Sequence, residues 1–331
     1  MIPPDYAVVV PTIGRASLVP LLRAIIDGSG PLPREIIVVN DRPEQPLEVP
    51  SWGELLRVID GAGHGPAAAR NRGWRATDAD WVVFLDDDVL PNSGWRAALW
   101  DDLAVGTRVG AVSGRIHVPL PDGARPTDWQ RQVSGLADAP WITADMAYRR
   151  AALAAVDGFY EGFTAAYRED TDLAVRVRGA GFDLVRGRRS TAHPVPATHW
   201  WISIARQRGN SDDALLRRRY GRRWHRVTGV PHGRRARHVL TTAAALLAVG
   251  SGLAGRRATA TRAAAVWLAL TAEFATRRIL AGPRTRAEVV TMAATSSAIP
   301  PVATFHWLRG RWRHRGADRV AMAKHRGEAT W

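Results

Sequence analysis

Apolar positions in the first half of the chain fall in short runs separated by helix-length segments. Tyr6-Ala-Val-Val-Val10, Glu35-Ile-Ile-Val-Val-Asn40, Leu55 to Ile59 and Trp81-Val-Val-Phe-Leu85 are rich in β-branched and aromatic residues and show no polar alternation. They read as strands covered on both faces. Pro11 is expected to stop the first, and Arg42-Pro43 forbids continuation of the second. Between the runs, Ser17 to Ile26 and Ala67 to Ala76 read as helices, the latter with Pro66 at its first turn. Strand and helix in alternation predict an α/β fold with a mostly parallel, doubly wound sheet. Further on, a helix is expected from Pro91 to about Leu103, a strand at Val109 to Gly114 and a Pro/Gly/Asp-rich loop at Pro119 to Asp128. Strand-like composition returns at Trp141 to Tyr148, followed by a helix to Val156 capped by Gly158 and another from Glu169.

In an open α/β sheet, ligands bind outside the carboxyl ends of the strands. Pro11-Thr12, Asp41 and Asp86-Asp87-Asp88 all fall at such ends. Three consecutive carboxylates repel one another, so a hard divalent cation carrying a phosphate is the natural compensator; the alternative is a solvated acidic turn. A second acidic cluster, Glu169, Asp170 and Asp172, occupies the first turn of a helix, where the dipole favours negative charge. It reads either as a helix cap or as a general base that takes a proton from a hydroxyl nucleophile. His193 is a candidate third metal ligand, with His199 as the fallback. Neither a G-x-G-x-x-G after the first strand nor a G-x-x-x-x-G-K-[ST] is present.

Charge changes the picture of the last third. The net +15 divides unevenly: residues 1–201 carry 21 arginines and no lysine against 25 carboxylates, a net of −4, whereas residues 202–331 carry 25 basic against 6 acidic groups, a net of +19. The absence of cysteine excludes disulfides, zinc–thiolate sites and thiol nucleophiles. Met1-Ile-Pro-Pro-Asp5 lacks a basic leader, so no secretory signal is expected. Apolar segments at Val239 to Ala254, Ala263 to Ala275 and Val289 to Trp307 are flanked by arginines; the second contains Glu273 and the third is expected to break at Pro300-Pro301. None is a clean spanning helix. Helices packed on a catalytic domain, a helical hairpin resting on a membrane and a nucleic-acid surface are the competing readings. Basic flanks around modest apolar helices suit anionic lipid better than nucleic acid, which predicts a cytoplasmic chain at the inner face of the membrane.

The motifs taken together resemble the inverting family 2 glycosyltransferases of the GT-A fold. They are Val8-Val-Val-Pro-Thr12, Ile36-Ile-Val-Val-Asn-Asp41, Ala68-Ala-Arg-Asn-Arg-Gly73, Phe84-Leu-Asp-Asp-Asp-Val89, Thr143 to Arg149 with Gly158-Phe159, and Arg168-Glu-Asp-Thr-Asp-Leu173. The resemblance spans roughly residues 5–200 and implies a catalytic domain over 1–205 followed by a basic helical region over 206–331. It implies that Pro11, Thr12 and Asp41 hold the base and ribose of a nucleotide-sugar, UDP-sugar by default, with Arg70 near its phosphates. Asp86, Asp87 and Asp88 match the D-x-D element, Asp86 lying near ribose and metal and Asp88 coordinating Mg2+ or Mn2+, with His193 completing the shell. Asp170 matches the catalytic base, with Glu169 beside it, and Trp141 and Asp145 are expected in the pocket for sugar and acceptor. The Q-x-x-R-W element of processive members is absent, Gln207 being followed by Arg-Gly-Asn-Ser, so transfer of a single sugar to a glycan or lipid-linked acceptor is implied. A nucleotidyltransferase of similar fold and a non-catalytic scaffold at the membrane surface are the alternatives.

Overall fold

The computed structural model describes residues 4–320. Residues 1–3 and 321–331, with the start of Met1-Ile-Pro-Pro-Asp5 and the end of the basic region, lie outside the described residues. The chain divides into two compact units, one of residues up to Pro119, Ser134–Val195 and Val320, the other of Leu120–Val133 and Pro196–Arg319. The second unit thus begins ten residues before position 206 and takes in a segment that the sequence pattern gives as loop.

The first unit is an eight-stranded mixed sheet flanked by helices. In chain order its elements are β1 (Tyr6–Thr12), α1 (Leu18–Asp27), β2 (Glu35–Asn40), β3 (Leu56–Asp60), α2 (Pro66–Arg75), β4 (Trp81–Leu85), β5 (Leu90–Pro91), α3 (Trp95–Leu103) and β6 (Val109–His117). After the excursion through α4 (Asp128–Ser134) come β7 (Asp145–Arg149), α5 (Arg150–Ala155), α6 (Glu169–Gly179) and β8 (Asp183–Ala192). The strand order is β3-β2-β1-β4-β7-β6-β8-β5. β7 runs antiparallel to β4 and β6, and β5 antiparallel to β8, while the remaining pairs are parallel. Every residue of β1 and β4 is buried, which is why these runs carry no polar alternation. Val9, Val39, Phe84 and Tyr148 form one core with Trp74 of α2 and Leu173 of α6. Helix α2 lies close on the sheet because Gly73 has no side chain: a Cβ there would stand 2.3 Å from a Val9 methyl.

Three local expectations are revised and one strand is added. Pro11 does not stop β1, which runs on to Thr12; pairing with β4 ends at Val9, so β1 is hydrogen-bonded on one side only where proline falls. β7 begins at Asp145 rather than Trp141, whose φ of 62° is incompatible with a strand. β8 has no apolar run to announce it. Its buried Arg189 lies between two carboxylates, donating to Asp102 at 3.1 Å and Asp145 at 2.7 Å, and Asp145 also accepts from Trp95 (2.7 Å) and Thr191 (2.6 Å). Finally, Pro300 and Pro301 do not break the third apolar segment.

That segment is α12 (Arg286–Arg313) of the second unit, preceded by α7 (Ile202–Ala205), α8 (Asn210–Tyr220), α9 (Trp224–Thr228), α10 (Arg235–Leu253) and α11 (Arg257–Ala281). Pro300 is buried with Ile299, Ala303 and Trp307, so packing holds the helix through the lost donors. The unit closes around Arg278, which reaches Asp128 of α4 at 2.8 Å, Thr295 at 2.8 Å, Ser296 at 3.0 Å and Ser203 at 3.2 Å.

Removing Arg189 would leave two buried carboxylates facing each other. Arg189→Met is expected to lower the unfolding free energy by about 3–5 kcal/mol, read as a fall in the urea midpoint at unchanged m-value.

Candidate functional site

The parallel strands bring the polar residues of several loops to one sheet edge. Asp86, Asp87 and Asp88 leave the end of β4 in three directions. Asp87 points inward, accepting from the Thr12 hydroxyl at 2.6 Å and from Arg15 at 2.7 Å. Asp88 takes a second bond from Arg15 at 3.0 Å and faces His193 Nε2 at 3.7 Å. Asp86 turns to Arg70, at 2.6 Å.

Arg70 is 1% exposed and donates with its other arm to Glu169, at 2.9 Å. One guanidinium therefore ties the end of β4 to the start of α6. The two carboxylates raise its proton affinity against the opposing effect of burial. Arg70, expected near the donor phosphates, is enclosed and turns both terminal nitrogens to carboxylates. Asn71, next along α2, holds the loop that follows α5, bonding the Phe159 carbonyl and amide at 2.8 Å each and Glu161 at 2.8 Å. The Ala-Ala-Arg-Asn-Arg-Gly motif is thus a scaffold with three uses: charge bridge, loop clamp and flush packing at Gly73.

Asp170 follows Glu169 in the first turn of α6. One of its carboxylate oxygens accepts from the Thr171 amide at 2.6 Å and hydroxyl at 3.2 Å. The helix is entered through Arg168, held at φ 76°, a left-handed conformation that costs a non-glycine residue on the order of 1 kcal/mol. Burial, and then the neighbouring Asp170, push the Glu169 carboxyl up to about 8, with Arg70 acting in the opposite direction. Burial raises Asp170 as well, against the Thr171 amide and Arg70.

On the other side of the tip, a cavity of about 720 Å3 is lined by Ile13, Asp41, Arg42, His64, Glu161 and Thr164, among others. Its volume lies in the range of small-molecule pockets. Asp41 accepts from the Gly65 amide at 2.9 Å, and its other oxygen is buried without a partner. Gly65 has φ 97°, and a Cβ there would meet the Thr164 carbonyl at 2.4 Å, so only glycine lets this wall close.

The remaining expected residues are distributed as follows. Pro11 is buried within β1 and offers no open face. Thr12 anchors Asp87 and is enclosed at 3% exposure. Asp145 is 1% exposed with its carboxylate engaged by Arg189, Trp95 and Thr191, so it is part of the buried sheet network and not of an acceptor pocket. Trp141 borders a cavity of about 220 Å3 with Ser113, Ile116 and Pro140, its indole N–H buried without an acceptor. His199 belongs to the helical unit and stacks on Trp201. Arg15, Asn71 and Arg189 were not singled out from the sequence; the signal for Arg15 was a lone cation in the loop that follows β1.

For a divalent cation, the donor chemistry fits while the expected three-ligand set is not assembled. Among the described residues no group of three His or acidic side chains is placed to hold a metal, because Asp86 is turned to Arg70. Asp88 and His193 do face each other. The His193 Nδ1 lies 3.2 Å from the Pro194 carbonyl, which can only accept, and Nε2 is the ring nitrogen turned toward Asp88. Burial and the Asp86 charge raise the proton affinity of Asp88, against His193 and Arg15, the mark of a carboxylate short of positive charge. Magnesium-type ions are commonly held by one or two carboxylates with substrate phosphates completing the shell.

Residues 7–172, half of the chain, match the model of the family described as Glycosyl transferase family 2, and the chain belongs to that family. The Pre-mycofactocin glycosyltransferase of Mycobacterium tuberculosis, from strains CDC 1551 / Oshkosh and ATCC 25618 / H37Rv, is 33% identical over 199 residues. That match covers 54% of this chain and 40% of the relative, so well under half of the relative's length is represented. A mannosyltransferase from Pyrobaculum calidifontis, solved with GDP-Man and Mn2+, is 20% identical with a TM-score of 0.53, covering 92% of this chain and 87% of that one. The likeness places the fold among GT-A glycosyltransferases.

The raised Glu169 carboxyl has a signed consequence. A carboxyl whose folded value lies above its unfolded one contributes stability that is complete below the unfolded value and lost as pH rises to the folded value. Between pH 4.5 and about 8 the chain should therefore lose stability through this group, and Glu169→Gln should flatten that part of the curve. Urea melts of both proteins across this pH range test it; parallel curves would exclude Glu169 as the source.

Proposed function

We propose that the chain is an inverting glycosyltransferase that moves one sugar from a nucleoside-diphosphate sugar to a hydroxyl acceptor, with Asp170 as the base. The observation that carries this reading is the Glu169–Arg70–Asp86 bridge, which fixes the carboxylate beside Glu169 to the acidic end of β4. A site that displaces a nucleoside diphosphate needs one group of carboxylates for the cation–phosphate end and another for the proton. These are the two clusters that Arg70 joins.

In the proposed reaction the acceptor oxygen forms a bond to the anomeric carbon as the bond from that carbon to the phosphate oxygen breaks. The hydroxyl proton passes to Asp170, and the nucleoside diphosphate leaves on the opposite face, which inverts the configuration. Asp41 and the cavity beside it would take the nucleoside, UDP being the default donor. Asp88 and His193 would hold Mg2+ or Mn2+, with Asp86 close by. When bound, such an ion supplies Lewis-acid neutralisation of the charge that grows on the leaving phosphate. Arg15 would keep Asp87 and Asp88 apart and oriented, and the Thr12 hydroxyl would fix Asp87 from below. The basic, apolar second unit supports a lipid-linked or cell-envelope glycan as acceptor, met at the cytoplasmic face of the membrane.

Asp170→Asn is expected to lower kcat by about a thousandfold or more while nucleotide-sugar binding in the presence of Mn2+, followed by thermal shift, persists. Turnover at the parent rate would remove Asp170 from the role of base, and retention of anomeric configuration in the product NMR spectrum would remove inversion. Asp88→Asn and His193→Ala should each weaken Mn2+ binding in the presence of UDP by about tenfold or more, measured by calorimetry, whereas Trp141→Phe should leave it unchanged.

A further inference from the structure

Helix polarity in the α10–α11 hairpin runs opposite to that of the first unit. Helix α1 buries Leu18, Leu21, Leu22 and Ile25, the expected inward stripe. Helix α10 instead buries Thr241, Ala244 and Ser251, and leaves Leu246 70% and Leu253 86% exposed. Val239, Leu240, Leu247 and Val249 are exposed beside them, so the large apolar side chains occupy roughly one half of the helix circumference. Helix α11 packs along α10 and repeats the pattern, with Ala263 and Thr271 inward and Val266 and Leu268 outward. Small residues between helices and large apolar ones outside is the arrangement selected where the surroundings are hydrocarbon, because helix contact is then driven by close packing. A contiguous face of this kind marks an interaction surface.

Charge identifies the partner and limits the depth. Arg256 and Arg257 sit at the turn between α10 and α11. At the opposite end of the hairpin, Glu273 is held by Arg234, Arg237 and Arg277. Helix α10 alone, among the described residues, is long and apolar enough to cross a membrane, with a mean hydropathy of 1.2. Its neighbour cannot follow: the uncharged run of α11 between Arg262 and Glu273 is ten residues, Ala263 to Ala272. That is about 15 Å at 1.5 Å per residue, half of a hydrocarbon core of roughly 30 Å. Crossing would draw Arg262 and the Glu273 cluster into hydrocarbon with it.

We infer that the α10–α11 hairpin is an in-plane anchor for an anionic phospholipid bilayer. Leu246, Leu247, Leu253, Val266 and Leu268 sink below the head groups of one leaflet, and Arg256 and Arg257 meet lipid phosphates. The inference deepens the membrane reading given above and rests on it for the kind of partner, while standing apart from the sugar chemistry.

Flotation of the full chain with vesicles of phosphatidylcholine, alone or mixed with phosphatidylglycerol, tests it. Binding is expected with the mixed vesicles only, reversed by alkaline carbonate. The triple variant L246E/L253E/L268E, at exposed positions, should keep its far-UV spectrum and its donor-induced thermal shift while its partition falls by about a hundredfold. R256E/R257E should erase the preference for phosphatidylglycerol. The inference is overturned if the parent chain ignores mixed vesicles, or if after carbonate it still floats with them, as for a spanning helix. It is overturned equally if the triple variant binds vesicles as the parent does while a self-associated chain becomes monomeric in sedimentation, which would make a second copy the occupant. Loss of donor binding with flotation intact would strike the transferase reading alone.

Discussion

A buried guanidinium is tolerable only when its charge is answered, and the first unit is arranged around one. Arg70 is enclosed between Asp86 and Glu169, residues 16 and 99 positions away in the chain. Taking that cation from water costs several kcal/mol, and the cost is offset only while both carboxylates keep their places. The pairing therefore fixes more than itself. It sets where α6 begins relative to the end of β4, and so where Asp170 stands relative to Asp88. Lysine would not serve: a single ammonium on a flexible stem lacks the planar fork that reaches two carboxylates in different directions.

What could be read from the sequence was what local pattern records. The all-apolar runs of β1, β2 and β4 show strands buried on both faces, and the carboxyl-end rule puts Thr12, Asp41 and Asp86 to Asp88 at one edge. Direction of side chains was not recorded. Asp86, Asp87 and Asp88 are indistinguishable as letters, yet one bridges to Arg70, one is buried against Thr12 and Arg15, and one meets His193. The motif around Asp145 suggests a place in the site, whereas its carboxylate is engaged within the sheet. β8 was missed because Arg186, Arg188 and Arg189 look like a solvated stretch; Arg189 is buried by partners at positions 102 and 145, which no window around it contains.

The helical unit shows the same limit with the opposite outcome. Its three apolar segments were visible as hydropathy, and each is a helix. The inverted polarity of α10 and α11 is not visible there, because composition alone does not say which face of an Ala-rich helix is turned inward. Nor did the loop-like segment 120–133 announce that Asp128 would meet Arg278, 150 residues further on, inside that unit. Glu273, which interrupts the second apolar segment, is answered by three arginines, two of them across the hairpin at positions 234 and 237.

The place of β7 in the sheet has a consequence for the order in which the chain is made. β7 lies between β4 and β6, although sixty residues separate it from the end of β4. A ribosome delivers β1 to β4 first, and these parallel strands pair as they emerge. Until Asp145 to Arg149 follow, the Val82-Val83-Phe84-Leu85 edge of β4 has no neighbour on that side. At synthesis rates of about 5–20 residues per second, that edge stands open for several seconds, an unpaired apolar strand of the kind that recruits other chains. The half-made sheet, and not the finished one, is therefore the state in which that edge is exposed.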